Sequence, residues 1–219
     1  MKLEVNSNGE NEFIKLTPGQ LDSLRELGNI GSGNAVVALS ELINKRIEVS
    51  LTGINIIPFW NLSKVFPDSD TEIFGICSNI RGEHNLTLLQ IYTKESIISM
   101  INIILIESEK RIENINSIEE LDELTKSTIL EIGNILVGHY ASSLANLMAI
   151  KLIPDVPDLA LDTIGAICNS IAANYSKLTD FIIIINTEIK IEKLSIEGII
   201  FFIPSIETIE SIFRLLNIK

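Results

Sequence analysis

Two long stretches of the chain carry apolar residues at helical spacing, and several shorter ones run apolar or alternate. On a helical wheel with Ser127 at zero, Glu131 falls at about 40°, Asn134 at about −20° and Gly138 at about 20°. Ile129, Ile132, Leu136, Tyr140, Ser143 and Leu147 gather between about 140° and 220°. The earlier stretch projects the same way: Asp22, Glu26, Asn29 and Gly33 share one face, and Leu24, Leu27, Ala35, Ala38 and Leu42 share the other. Both stretches are expected to be amphipathic helices with a polar stripe opposite a buried one. Thr17-Pro18-Gly19-Gln20 supplies a start signal: Thr17 as cap, Pro18 in the first turn and Gln20 at the capping-box position. That helix is expected to reach about Asn44. Gly28, Gly31 and Gly33 crowd its interior, which implies a kink or a close helix–helix contact.

Between and after these helices the pattern changes period. Ile47–Ile57 reads as a strand ended by Pro58, and residues 59–71 as a loop. Glu72–Ile80 and Asn85–Tyr92 read as a hairpin around Arg81-Gly82-Glu83. Lys94–Ile106 is an amphipathic helix, and the polar run Glu107–Ser117 is the expected joint between halves. After the second long helix, Ile118–Ile150, come a short extended piece, Leu152–Pro157, and three strands, Thr163–Ala173, Asp180–Ile191 and Leu194–Ile203. Glu207–Leu216 closes the chain as a helix. The expected fold is α+β: one sheet of about six antiparallel strands, two long helices and two shorter ones.

The chain repeats itself. A shift of 105 positions aligns Glu26-Leu27-Gly28-Asn29-Ile30 with Glu131-Ile132-Gly133-Asn134-Ile135, and Gly33 with Gly138. A second match sets Glu95–Met100 against Glu207–Ile212 in a slightly different register, so the loops between differ in length. The reading is one domain made of two repeats, about 17–107 and 118–219, sharing a sheet.

Composition narrows the function classes. The 219 residues are 46% hydrophobic and only 5% aromatic, enough for a sizeable aliphatic core. A net charge of −12 and a pI near 4.6 argue against nucleic-acid binding and against docking on anionic lipid. No signal peptide and no membrane span are read, so a cytoplasmic protein is expected. Cys77 and Cys168 both fall in expected strands and read as buried free thiols. A monomer is expected, since the duplication already supplies internal pseudo-symmetry.

No metal-ligand motif or phosphate loop is present, and Gly31-Ser32-Gly33-Asn34 follows a helical turn where a phosphate loop would follow a strand. His84 and His139 are unmatched between the repeats and read as surface residues. What remains is a Glu with an Asn one turn later, outward on a helix, twice. A carboxamide can hold a water and aim it at phosphorus, while the Glu can pair with a partner's Lys. Gly33 and Gly138, which a helix tolerates at a cost of about 1 kcal/mol each, suggest close approach by a partner. Such a pair completes another protein's reaction centre.

These residues resemble the CheC, CheX and FliY phosphatases of bacterial chemotaxis, whose pattern is Asp/Ser-x3-Glu-x2-Asn with a later Pro. Asp22, Glu26 and Asn29 fit it once; Ser127, Glu131, Asn134 and Pro157 fit it again. The first copy has Thr52 where the pattern places Pro, which makes the second site the more secure. Two intact copies look like the CheC type, and no motor-binding domain of the FliY type is read after them. The resemblance implies that the substrate is the phosphorylated response regulator CheY, which brings its own Mg²⁺, with no cofactor or metal held by the chain itself. It implies that Asn29 and Asn134 orient the attacking water and that Glu26 and Glu131 bind the regulator's Lys. Asp22, Ser127, Gly33, Gly138 and Pro157 are given supporting roles. The receptor deamidase CheD is a further implied partner. A non-catalytic adaptor of the same fold and a flagellar-switch component are the alternatives.

Overall fold

Each long helix opens on a side-chain cap and closes on a left-handed residue, and the two do so in step. Thr17 Oγ1 accepts from the Gln20 amide at 3.4 Å while Gln20 Oε1 accepts from the Thr17 amide at 2.8 Å, completing the expected capping box. At the other start, Asp122 Oδ1 accepts from the Thr125 amide at 2.7 Å. Helix α1, Pro18–Ile43, ends at Asn44 with φ 53°; helix α3, Glu123–Met148, ends at Ala149 with φ 52°. Caps, helix bounds and terminal residues all match at the 105-residue shift.

The structure is a computed structural model and describes residues 17–105, 111–191 and 194–215; the surroundings of residues 23, 26–28, 30–32, 34, 51 and 63 lie outside the description. Between α1 and α3 come β1 (Ile47–Pro58), a 3-10 turn (Phe59–Lys64), the hairpin β2 (Glu72–Gly82) and β3 (Leu86–Thr93), and α2 (Lys94–Ile104). After α3 come β4 (Leu152–Pro154), β5 (Asp158–Thr163), α4 (Ile164–Tyr175), β6 (Phe181–Ile191), β7 (Leu194–Pro204) and α5 (Ile206–Leu215). The α+β class holds. The strand count is seven among the described residues, one more than expected, and the short helices number three, because the expected strand Thr163–Ala173 is β5's end followed by α4. Thr163 Oγ1 caps α4 by accepting from the Ala166 amide at 3.2 Å, and Ile164, Ile167, Cys168 and Ile171 form its buried stripe. Cys168 therefore sits in a helix, whereas Cys77 lies in β2 as expected.

All pairings in the sheet are antiparallel, in the order β1-β6-β7-β3-β2-β4, with β5 also on the outer edge of β2. The order is palindromic: β6-β7 of one half answers β2-β3 of the other. At the centre Leu89 pairs with Phe201, and the flanking pairs Leu86–Pro204 and Tyr92–Gly198 exchange under a shift of 112, the same shift that relates Glu95 to Glu207. A pseudo-two-fold therefore passes through the Leu89–Phe201 pair. β1, from the first half, completes the sheet beside β6; β4 and β5, from the second, complete it beside β2.

Two apolar layers flank the sheet. On one face Ile76, Leu88, Ile185 and Ile200 meet Leu39 of α1, Ile129 and Leu136 of α3, Met100 of α2 and Ile212 of α5. On the other, Leu89, Ile91, Ile184 and Phe201 meet Leu62 of the 3-10 turn and Ile167 and Ile171 of α4. Burial on both faces explains why the central strands read as apolar runs with little alternation. The expected joint is packed where it is described: Ile115 is buried, and Asn102 Nδ2 donates to the Ile112 carbonyl at 2.7 Å while its Oδ1 accepts from the Ile112 amide at 2.9 Å. Residues 106–110 of that joint lie outside the described residues. Among the described residues, no helix is long and apolar enough to cross a membrane.

Candidate functional site

α1 and α3 pack against each other on the same side of the sheet, so both polar stripes belong to one helical layer. Their inward residues fix their rotation. Ile129, Ile132, Leu136 and Tyr140 of α3 are buried, as are Leu24, Ala35 and Leu39 of α1. Leu42 and Leu147, placed on the buried faces by the wheel, are instead 42% and 45% exposed, while the next residues, Ile43 and Met148, pack on the core. They remain repeat partners, shifted by 105.

The rotation turns the candidate residues outward. Ser127, Glu131 and Asn134 are exposed on α3 and Gly138 is half-buried; Asp22, Asn29 and Gly33 are exposed on α1. Glu26 takes its place in the same helix, and its side chain lies outside the described residues. Asp22 makes a 3.8 Å exposed ion pair with Arg25, a contact worth little in water. Among the described residues, the side chains of Asn29, Glu131 and Asn134 engage no hydrogen-bonding or ionic partner. Pro157 is buried in the link between β4 and β5. Thr52, at the corresponding place in the first half, is exposed in β1.

The glycines of the two helices divide by what surrounds them. A Cβ built on Gly33 or Gly138 would meet no atom within 4 Å, so nothing in the chain requires their missing side chains. A Cβ on Gly133 would lie 2.5 Å from Ile76 Cγ2, so that glycine lets α3 settle onto β2 one residue before Asn134. Beneath the same turn lies a buried polar group that the sequence reading did not single out. Gln90 of β3, 1% exposed, donates from Nε2 to the Gly133 carbonyl at 2.8 Å, and its Oε1 accepts from the Tyr92 hydroxyl at 3.1 Å. Its signal in the sequence is a lone amide in the apolar run Leu88–Tyr92. Two exposed apolar residues also flank the stripes, Leu124 in α3 at 62% and Val37 in α1 at 60%; they do not correspond under the repeat.

The other reactive side chains are poorly suited to chemistry. Burial pushes the thiols of Cys77 and Cys168 up to about 11, with the Asp158 carboxylate adding to the effect at Cys77, so both are protonated at neutral pH. His84 Nε2 lies 3.4 Å from Ser211 Oγ, on the far strand connection. Among the described residues no three His, Cys, Asp or Glu side chains converge as a metal site would require. What this surface offers is an exposed carboxamide and carboxylate one helical turn apart on α3.

Comparison with known proteins matches this geometry. The CheC-like family model matches residues 20–50 and 124–161, the two segments that carry the stripes. The CheY-P phosphatase CheC of Bacillus subtilis is 26% identical over 92% of this chain and 95% of its own length. The flagellar motor switch phosphatase FliY of the same organism is 23% identical over 64% of this chain but only 35% of its own length. The crystal structure of Thermotoga maritima FliY superposes with a TM-score of 0.69 at 19% identity, covering 93% of this chain and 98% of that one, which establishes the shared fold. The duplicated stripe lies in both matched segments, so the chain resembles the CheC-like family over residues 20–50 and 124–161 and shares the fold of T. maritima FliY.

Proposed function

We propose that the chain is a phosphatase for the aspartyl phosphate of a CheY-type response regulator. The observation that carries this reading is the pair of exposed, outward side chains Glu131 and Asn134, repeated in sequence at Glu26 and Asn29, in the segments that the family model matches. Docking inserts Asn134 into the regulator's phosphorylated site. Its carboxamide carbonyl accepts from a water and turns the water's lone pair toward phosphorus, in line with the bond to the aspartyl oxygen. Glu131 forms a charge-assisted bond with the regulator's Lys and sets the angle of approach. The Mg²⁺ that offsets phosphoryl charge belongs to the regulator. The helix holds the amide on a stiff backbone, so acceleration comes from positioning. Gly138, with open space above it, lets the partner's backbone come close. Asn29 and Glu26 act likewise in the first copy. The resemblance to the CheC type also makes the deamidase CheD a candidate partner.

The test is phosphate release from a regulator charged with acetyl phosphate. Asn29→Ala and Asn134→Ala should each lower turnover, and the double variant should lose about 100-fold or more. Glu131→Ala should in addition weaken binding of the phosphorylated regulator. A double variant as active as an active parent would sink the assignment of the two asparagines; a parent that binds the regulator but releases phosphate no faster than the regulator alone would identify the chain as an adaptor.

A further inference from the structure

Apolar packing holds a helix down without fixing how far it slides or rolls, because the hydrophobic effect has no direction. A hydrogen bond does, and α3 has one buried at the turn that matters. The Gly133 carbonyl has two lone pairs: one takes the helical amide of Val137, and the other is free for Gln90. Gln90 can present only Nε2 to that carbonyl, because Tyr92 donates its hydroxyl to Oε1 and burial keeps that phenol protonated. Tyr92 is held in turn by its place opposite Gly198, where a Cβ would lie 2.5 Å from the ring. Ile76 fills the space that a side chain on residue 133 would need. Steric contact and hydrogen bonding thus lock the α3 backbone to strands β2 and β3 next to Asn134.

The strand positions equivalent to Gln90 and Tyr92 in the other half supply no such hydrogen bond. Under the 112-residue shift that relates the central strands, Gln90 corresponds to Phe202 and Tyr92 to Pro204. Phe202 is buried, and its ring stands edge-on to Tyr140 with centroids 5.9 Å apart. Neither Phe nor Pro has a side-chain donor for a helix carbonyl.

We propose that Gln90 is a positioning residue that fixes the Asn134 turn, and that it makes the Glu131/Asn134 copy the dominant site. This rests on the phosphatase reading, and the experiment separates the two. Gln90→Met keeps length and volume while removing the amide; Gln90→Met/Tyr92→Phe also removes the orphaned hydroxyl and guards against misfolding. Each is placed in an Asn29→Ala background, where only the second site remains, and in an Asn134→Ala background, where only the first does. In the former, kcat should fall about tenfold with KM unchanged, as expected for an amide misplaced in the transition state. In the latter, kcat should change less than about twofold. Asn134→Ala alone should also cost more turnover than Asn29→Ala alone. Equal losses in both backgrounds, no loss in the first, or the reverse ranking of the single variants would overturn the proposal. If the Asn29→Ala/Asn134→Ala variant stays fully active, the catalytic role given to the two asparagines fails, and amide hydrogen exchange then decides the positioning claim. Gln90→Met should speed exchange across residues 133–138 and leave 28–33 unchanged; equal effects on both segments, or none, would refute it.

Discussion

At the scale of single residues, the glycines separate demands made by the chain from demands made on it. Gly133 is needed internally: Gly133→Ala would push a methyl group into Ile76 and should cost about 1–3 kcal/mol, read as a lower urea midpoint. Gly138 is not needed internally. Gly138→Ala should stabilise the protein by about 1 kcal/mol in the same measurement, yet slow dephosphorylation by obstructing the docked regulator. A variant that is more stable and equally active would remove the reason for thinking that a partner presses on this face. The sequence exposed the outward glycines, because they recur at one wheel angle in both copies. It did not expose Gln90, whose partner lies 43 residues away on another element. A lone amide in an apolar run says that a hydrogen-bond partner exists without saying where.

At the scale of elements, legibility followed local chemistry. The capping box of α1 was readable because its parts lie within four consecutive residues, Thr17–Gln20. The β2–β3 hairpin was readable from the charged turn Arg81-Gly82-Glu83 between apolar runs. α4 was misread because its Ile-rich sequence mimics a strand, although its buried residues Ile164, Ile167, Cys168 and Ile171 keep helical spacing and Thr163 caps them. The end of α3 is less well adapted than its start. Ala149 adopts a left-handed conformation that disfavours a Cβ and that Asn44 occupies more easily at the end of α1. Ala149→Gly should therefore raise stability by about 0.5–1 kcal/mol, visible as an increase of about 1–4 °C in Tm, with turnover unchanged.

At the scale of the whole molecule, the duplication was visible in the sequence, but the way the halves join was not. Repeats say that two units are alike; they are silent on which strand lies beside which. Here β1 leaves its own half to pair with β6, while β4 and β5 cross to pair with β2. Each half thus lends the other an edge. Cleaving the backbone between Leu105 and Arg111 should give fragments that precipitate or self-associate alone and regain the native circular dichroism spectrum only when mixed. A fragment that folded alone as a monomer would show that the borrowed strands are dispensable. Because of this mutual lending, the two helical stripes cannot be inherited or lost as separate cassettes. A gene encoding only one of them would have to recover the missing strands from a twin chain, so for this architecture fusion is a condition of working as a monomer.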